Sequence, residues 1–185
     1  MNDTAPAPSA AVTGGDVVVI RAIRNALTAD GLAVAADGVP LPSRLDVLVH
    51  IAGGAPASLD GPSASAFADA LALQLKTAFI TLQQGVAAIR ASGGGGAIVL
   101  VAPTASGRAY DAVRQGLRLL VRSAALELGP EDIRINIVLP GADGGLLNGP
   151  VSPENIAASV AFAVSPRARF MTGADLVVDG GAMAR

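Results

Sequence analysis

Apolar residues return along this chain in two alternating rhythms. Short continuous runs, as over Leu45 to Ile51 and Ala97 to Ala102, alternate with longer stretches where apolar positions recur every three or four residues. The first pattern predicts strands buried on both faces, the second helices with one apolar face. Phe67, Leu71, Leu75, Ala78, Phe79, Leu82, Val86 and Ile89 predict one long helix, stopped by the glycines at 93–96. A second helix spans Tyr110 to Leu128, its apolar face at Val113, Leu117, Leu120, Val121, Ala124 and Leu128. Ile133 to Leu139 reads as a strand broken by Pro140-Gly141, and Leu176 to Val178 as the last strand. Between them, Ser152-Pro153-Glu154 predicts a helix start, with Ser as N-cap and Pro in the first position, running to about Val164. Near the front, the β-branched run Asp16-Val17-Val18-Val19-Ile20 reads as a short strand and Arg21 to Asp30 as a helix ended by Gly31. Leu32 to Ala36 reads as another short strand, and residues 37–43 as a turn. Strands alternating with long helices predict an α/β fold, a parallel sheet covered on both faces.

Composition narrows the picture. The chain has 185 residues, half of them apolar, enough for one domain with a proper core. Residues 1–11, rich in Ala, Pro and Ser, read as a disordered lead-in, which leaves 12–185 as that domain. A net charge of −2 gives no basic face for nucleic acid. The absence of cysteine excludes disulfides and thiolate chemistry, and the single histidine, His50, leaves no conventional zinc site. The first fifteen residues lack a basic segment followed by an apolar run, and no apolar stretch approaches the ~20 residues of a membrane span. A soluble, cytoplasmic protein with no membrane or nucleic-acid partner is expected.

Several motifs fall in a telling order. Thr13-Gly14-Gly15 precedes a helix; His50-Ile51-Ala52-Gly53 ends the central strand; Tyr110, the only tyrosine, opens an Arg-rich helix with Arg114 four residues on. Then come Arg134-Ile135-Asn136-Ile137-Val138-Leu139-Pro140-Gly141 and Thr172-Gly173-Ala174-Asp175-Leu176-Val177-Val178-Asp179-Gly180-Gly181. In this order the segments resemble the short-chain dehydrogenase/reductase family of NAD(P)-dependent Rossmann-fold oxidoreductases. The match covers nearly all of Leu45 to Gly181, with a weaker one in the first thirty-odd residues.

The resemblance also shows what differs. The family's phosphate loop, Thr-Gly, three residues, Gly, one residue, Gly, keeps Gly14 and Gly15 here but sets Val18 and Ile20 at the second and third glycines, where backbone should approach phosphate. If Asp16 to Ile20 is instead the first strand, there is no loop at all. After the second strand the family has a helix, a strand and another helix, whereas this chain has only Ala35 to Arg44. Asp37 stands where the family's ribose-recognising acid would be, and reads as a turn residue. His50 ends an apolar strand, which predicts a packed or capped histidine rather than an acid/base.

The resemblance implies a catalytic tetrad of Asn, Ser, Tyr and Lys. Gln74 falls at the Asn position, and Ala102-Pro103 stand where the Ser should end its strand, with Thr104 or Ser106 as displaced hydroxyls. Tyr110 fits its position, and Arg114 replaces the Lys with a planar fork that is not interchangeable with an ammonium. The substrate lid is reduced to the Gly-rich stretch 142–151. Tyr110, Arg114 and Gln74 are thus expected to be vestigial.

What the resemblance leaves intact is the scaffold for assembly. Family members form tetramers through the two long helices and through the last helix with the last strand. The expected interface is Leu117, Val121, Ala124, Leu82 and Val86 on the first surface, and Ile156, Val160, Leu176 and Val178 on the second. The implied function is a non-catalytic subunit that stabilises an intact paralogue, two copies of each, within an NAD(P)-dependent alcohol dehydrogenase or ketoreductase complex. This chain is expected to bind no cofactor, with NAD or NADP on the partner subunit. The alternatives are a divergent oxidoreductase using Tyr110 and Arg114, or a ligand-binding module built on the vacated cleft.

Overall fold

A computed structural model of the chain describes residues 7–36, 40–53, 64–104, 108–141, 145–147 and 149–184. Six parallel strands form one sheet in the order β2-β1-β3-β4-β5-β6. They are β1 Ser9–Gly14, β2 Ala33–Val34, β3 Val47–Ile51, β4 Gly96–Val101, β5 Ile133–Pro140 and β6 Asp175–Val178. Side chains alternate along each strand between two clusters. Val47, Val49 and Ile51 pack under α1 (Val17–Ala29) and α5 (Pro153–Val164). Leu48 and Ala52 pack under α3 (Thr77–Ala91) and α4 (Arg108–Leu128). The helix predicted from Phe67 to Ile89 is one rod in three parts: α2 (Ala64–Leu71), a π-helical turn over Ala72–Lys76, and α3. Close approach of α3 to the sheet depends on Gly85, where a Cβ would lie 2.2 Å from a methyl of Leu48.

The first strand lies earlier than the β-branched run suggested. Asp16 adopts an extended conformation and its carboxylate accepts the amides of Val18 and Val19, so the chain turns into α1 there. Tertiary packing overrides the strand propensity of the valines. Val19, Ile23 and Leu27 recur at helical spacing and are all buried against the sheet, while Val17 and Val18 are exposed. Ser9 to Ala11, read as part of the lead-in, belong to β1.

The motif at the start of β5 does structural work. The Arg134 guanidinium donates to the carbonyls of Ala163 and Val164 at the end of α5 and to Ala168, closing a helix terminus that would otherwise leave orphan acceptors. Asn136 bridges the same connection, donating to Met171 O at 2.9 Å and accepting from Ala174 N at 3.0 Å. The predicted start of α5 is a capping box, Ser152 and Asn155 each accepting the other's amide.

Most of the residues expected at an interface lie inside the chain. Leu117, Val121 and Val160 are fully buried, and Ala124, Leu82, Val86 and Ile156 nearly so. Leu176 and Val178 are half-buried, packed against the cluster beneath α1 and α5. A helix lying on a sheet needs only one apolar stripe, and these residues are that stripe. The apolar side chains facing outward on this side of the molecule are Leu73, Phe79, Ile80, Leu119 and Leu126.

Four of the five parallel crossovers run through helices. The connection from β2 to β3 has only residues 35–46, with no helix among those described, in agreement with the short segment read there.

Candidate active-site cleft

The chain runs from β1 outward to β2 and then returns across to β3, which makes the carboxyl ends of β1 and β3 the switch point of the sheet. Here two glycines use their missing side chains on each other. A Cβ on Gly15 would lie 3.2 Å from the Cα of Gly53, and a Cβ on Gly53 equally close to Gly15. Gly14, at φ +131°, lies against the carbonyl of Ile51, where a side chain would clash outright.

The turn from β1 into α1 is where a dinucleotide phosphate would need free amides. Two of the amides that open α1, Val18 N and Val19 N, each donate at 3.0 Å to Asp16 Oδ1. A carboxylate already holds the positive end of the helix, and a phosphate brought there would meet its charge. Val18 stands exposed beside this cap, whereas Ile20 packs inward against the core. The residues present do not fit a dinucleotide phosphate. Asp16 was not singled out in the sequence; an acid directly before a helical apolar repeat was the signal that marks it as an N-cap.

Beyond the turn, a cleft of about 340 Å³ holds Asp16, Gly53, Thr104 and Tyr110. Tyr110 is buried, and burial pushes its phenol above the usual range, the opposite of what a phenolate base requires. Arg114 is bound to backbone. Its Nη1 donates to Pro103 O at 3.2 Å and its Nη2 to Pro140 O, tying together the ends of β4 and β5. Burial lowers the guanidinium pKa, partly offset by Asp111 and Asp179.

Gln74 opens instead onto a second cavity of about 270 Å³, shared with Thr13 and His50. It is buried in the π-helical turn, and its Oε1 finds no partner among the described residues. The structure therefore places Tyr110 at one cleft, with Arg114 behind it on the carbonyl of Pro103 in the lining, and Gln74 at another. His50 is packed as expected, hydrogen-bonded through Nδ1 to the Thr13 hydroxyl at 3.0 Å, and burial lowers its pKa to about 4. Lys76, the only lysine, is exposed on the π-helical turn. Asp37, Ser106 and lid residues 142–144 and 148 lie outside the described residues. The described part of the lid is held down: the amides of Leu146 and Leu147 donate to Gly180 O at 2.6 and 2.9 Å. No helix among the described residues is long and apolar enough to cross a membrane.

The family model described as enoyl-(acyl carrier protein) reductase matches residues 33–143. An L-rhamnose 1-dehydrogenase (NAD(P)(+)) of Azotobacter vinelandii is 32% identical over 92% of this chain and 77% of its own length. A trans-4-hydroxycyclohexanecarboxylate dehydrogenase of Sinomonas cyclohexanicum is 30% identical over 74% of this chain, and this chain spans 60% of that enzyme. In fold, an oxidoreductase of the short-chain dehydrogenase/reductase family from Burkholderia thailandensis agrees with a TM-score of 0.82 over 96% of this chain and 94% of its own, at 24% identity. The six-stranded parallel sheet, the ordered motifs and these relatives together establish that the chain belongs to the short-chain dehydrogenase/reductase family of oxidoreductases.

Proposed function

We propose that this chain is a non-catalytic subunit of a hetero-oligomeric short-chain dehydrogenase/reductase. Its partner is an intact paralogue that carries NAD or NADP, in a complex of two copies of each, and the chain itself binds no dinucleotide. The observation that carries this reading is Arg114: the cation beside the only tyrosine is committed to the carbonyls of Pro103 and Pro140. In an active site that cation would hold the ribose and lower the tyrosine pKa. Ala102-Pro103 in place of the serine, and the Asp16 cap in place of free amides, support the same conclusion.

The assembly surface is the outward side of α3 and α4. Phe79 lines a groove of about 380 Å³ between the two helices, and Ile80, Leu119 and Leu126 are exposed on the same pair. Exposed apolar side chains on two neighbouring helices suit a helix pair from a second subunit. The test is co-expression with an intact relative followed by light scattering. A complex of two copies of each chain is expected, weakened by Leu126→Glu with Leu119→Glu. A monodisperse monomer that ignores every intact relative would contradict assembly and leave a binding module in the cleft as the reading.

A further inference from the structure

We propose that the cavity beside Gln74 is a binding site for a small neutral polyol, held by the Gln74 carboxamide and the hydroxyls of Thr77 and Thr81. The cavity shares no lining residue with the groove at Phe79, so the inference does not depend on subunit assembly.

A buried polar atom in a native protein is normally paired. Gln74 is 3% exposed, and its Oε1 has no partner among the described residues. It sits in the π-helical turn Ala72–Lys76, a distortion that is frequent at functional positions of helices. Gln74, Thr77 and Thr81 follow one another at helical spacing and line one cavity of about 270 Å³, together with Thr13 and His50. A water takes up about 30 Å³ of liquid, so the space is several waters large, the size of a polyol of roughly three to six carbons.

The lining fixes the chemistry of the ligand. No Asp, Glu, Lys or Arg is among the described residues there, and burial keeps His50 neutral, with a pKa of about 4. An ion would lose its hydration without finding a counter-charge. What the cavity offers is hydroxyls and a carboxamide, each able to donate and to accept, as a ligand hydroxyl also does. The last torsion of a glutamine is soft, so its oxygen and nitrogen exchange places at little cost and either can turn to a ligand. Leu73, 56% exposed on the same lining, gives an apolar contact for the C–H face of a polyol.

The experiment is saturation-transfer NMR on the full chain, with glycerol, xylitol and D-glucose as neutral probes and glycerol 3-phosphate as the charged comparison. At least one neutral probe should bind saturably, and the phosphate should neither bind nor compete. Gln74→Met keeps the volume and removes the hydrogen-bonding groups. It should retain the circular dichroism of the wild type and bind that probe at least about tenfold more weakly. Thr81→Val should weaken binding in the same direction. Silence from all three neutral probes, equal binding by the wild type and either variant, or equal binding of the phosphate would overturn the proposal. An unfolded Gln74→Met would overturn it too, because the carboxamide would then be an essential internal partner. These readouts need neither a partner subunit nor turnover, so their failure would leave the subunit reading standing.

Discussion

His50 sits on β3 beside Thr13 of β1 and is 3% exposed, so its charged form is excluded from the fold. Its pKa falls from 6.5 to about 4. Between those two values the unfolded chain binds a proton that the folded chain refuses, so stability drops as pH falls through that window. The loss should reach roughly 2–3 kcal/mol by about pH 4.5. Urea unfolding of the wild type and His50→Gln at neutral pH and at that value checks this: the substitution should flatten the decline, and identical slopes would place the acid sensitivity elsewhere. Arg114 gives a second prediction. An ammonium cannot reproduce the fork that spans Pro103 O and Pro140 O. Arg114→Lys, which restores the residue type expected of an active family member, should therefore cost about 1–3 kcal/mol of stability. It should also yield no turnover, in contrast to what a divergent active enzyme would show.

The elements themselves were mostly legible, since β3, β4, α4, β5, α5 and β6 each lie within a residue or two of their predicted spans. A continuous apolar run and a 3.6-residue repeat are local signals. The front of α1 was not legible from propensity, because Val17 to Ile20 favour a strand until Asp16 caps them and Val19 finds the core. The π-helical turn at Gln74 left no mark in the pattern, which continues through it at three- and four-residue steps. Nor could the stripe on a helix say what it packs against. Leu117 and Val121 read as interface because the resemblance implies assembly through these helices, but the sheet beneath already buries them. This sets up a contrast between two positions on α4. Leu117→Glu would bury an unpaired carboxylate at several kcal/mol, comparable with the stability of a whole domain, and should unfold the chain by circular dichroism. Leu126, 84% exposed, should accept Glu with the melting curve unchanged and reveal its effect only in assembly. The reverse pattern would mean that the core and the outward surface have been confused.

At the scale of the molecule, the sheet is six-stranded and parallel, while one crossover, residues 35–46, has no helix among those described, as the short segment read there implied. Everything that stabilises the remaining strands is present: two buried clusters, capped helices and an arginine at the ends of β4 and β5. What differs lies at the carboxyl ends of the strands, where Asp16 takes the amides, Gly15 meets Gly53 and Arg114 binds backbone. The departures at Val18, Ala102 and Arg114 were readable as substitutions in known motifs. Their physical consequence was not, because it depends on which atoms the new side chains reach. On the proposed reading, these features belong to a chain kept for what it assembles with. The most direct test is the turnover of a co-purified complex in which this chain alone carries Tyr110→Phe, measured per intact partner subunit with NAD or NADP. The account predicts turnover equal to that of the unmodified complex. A fall of roughly 10²–10⁴-fold, the scale of removing a working acid/base, would contradict it and make Tyr110 catalytic.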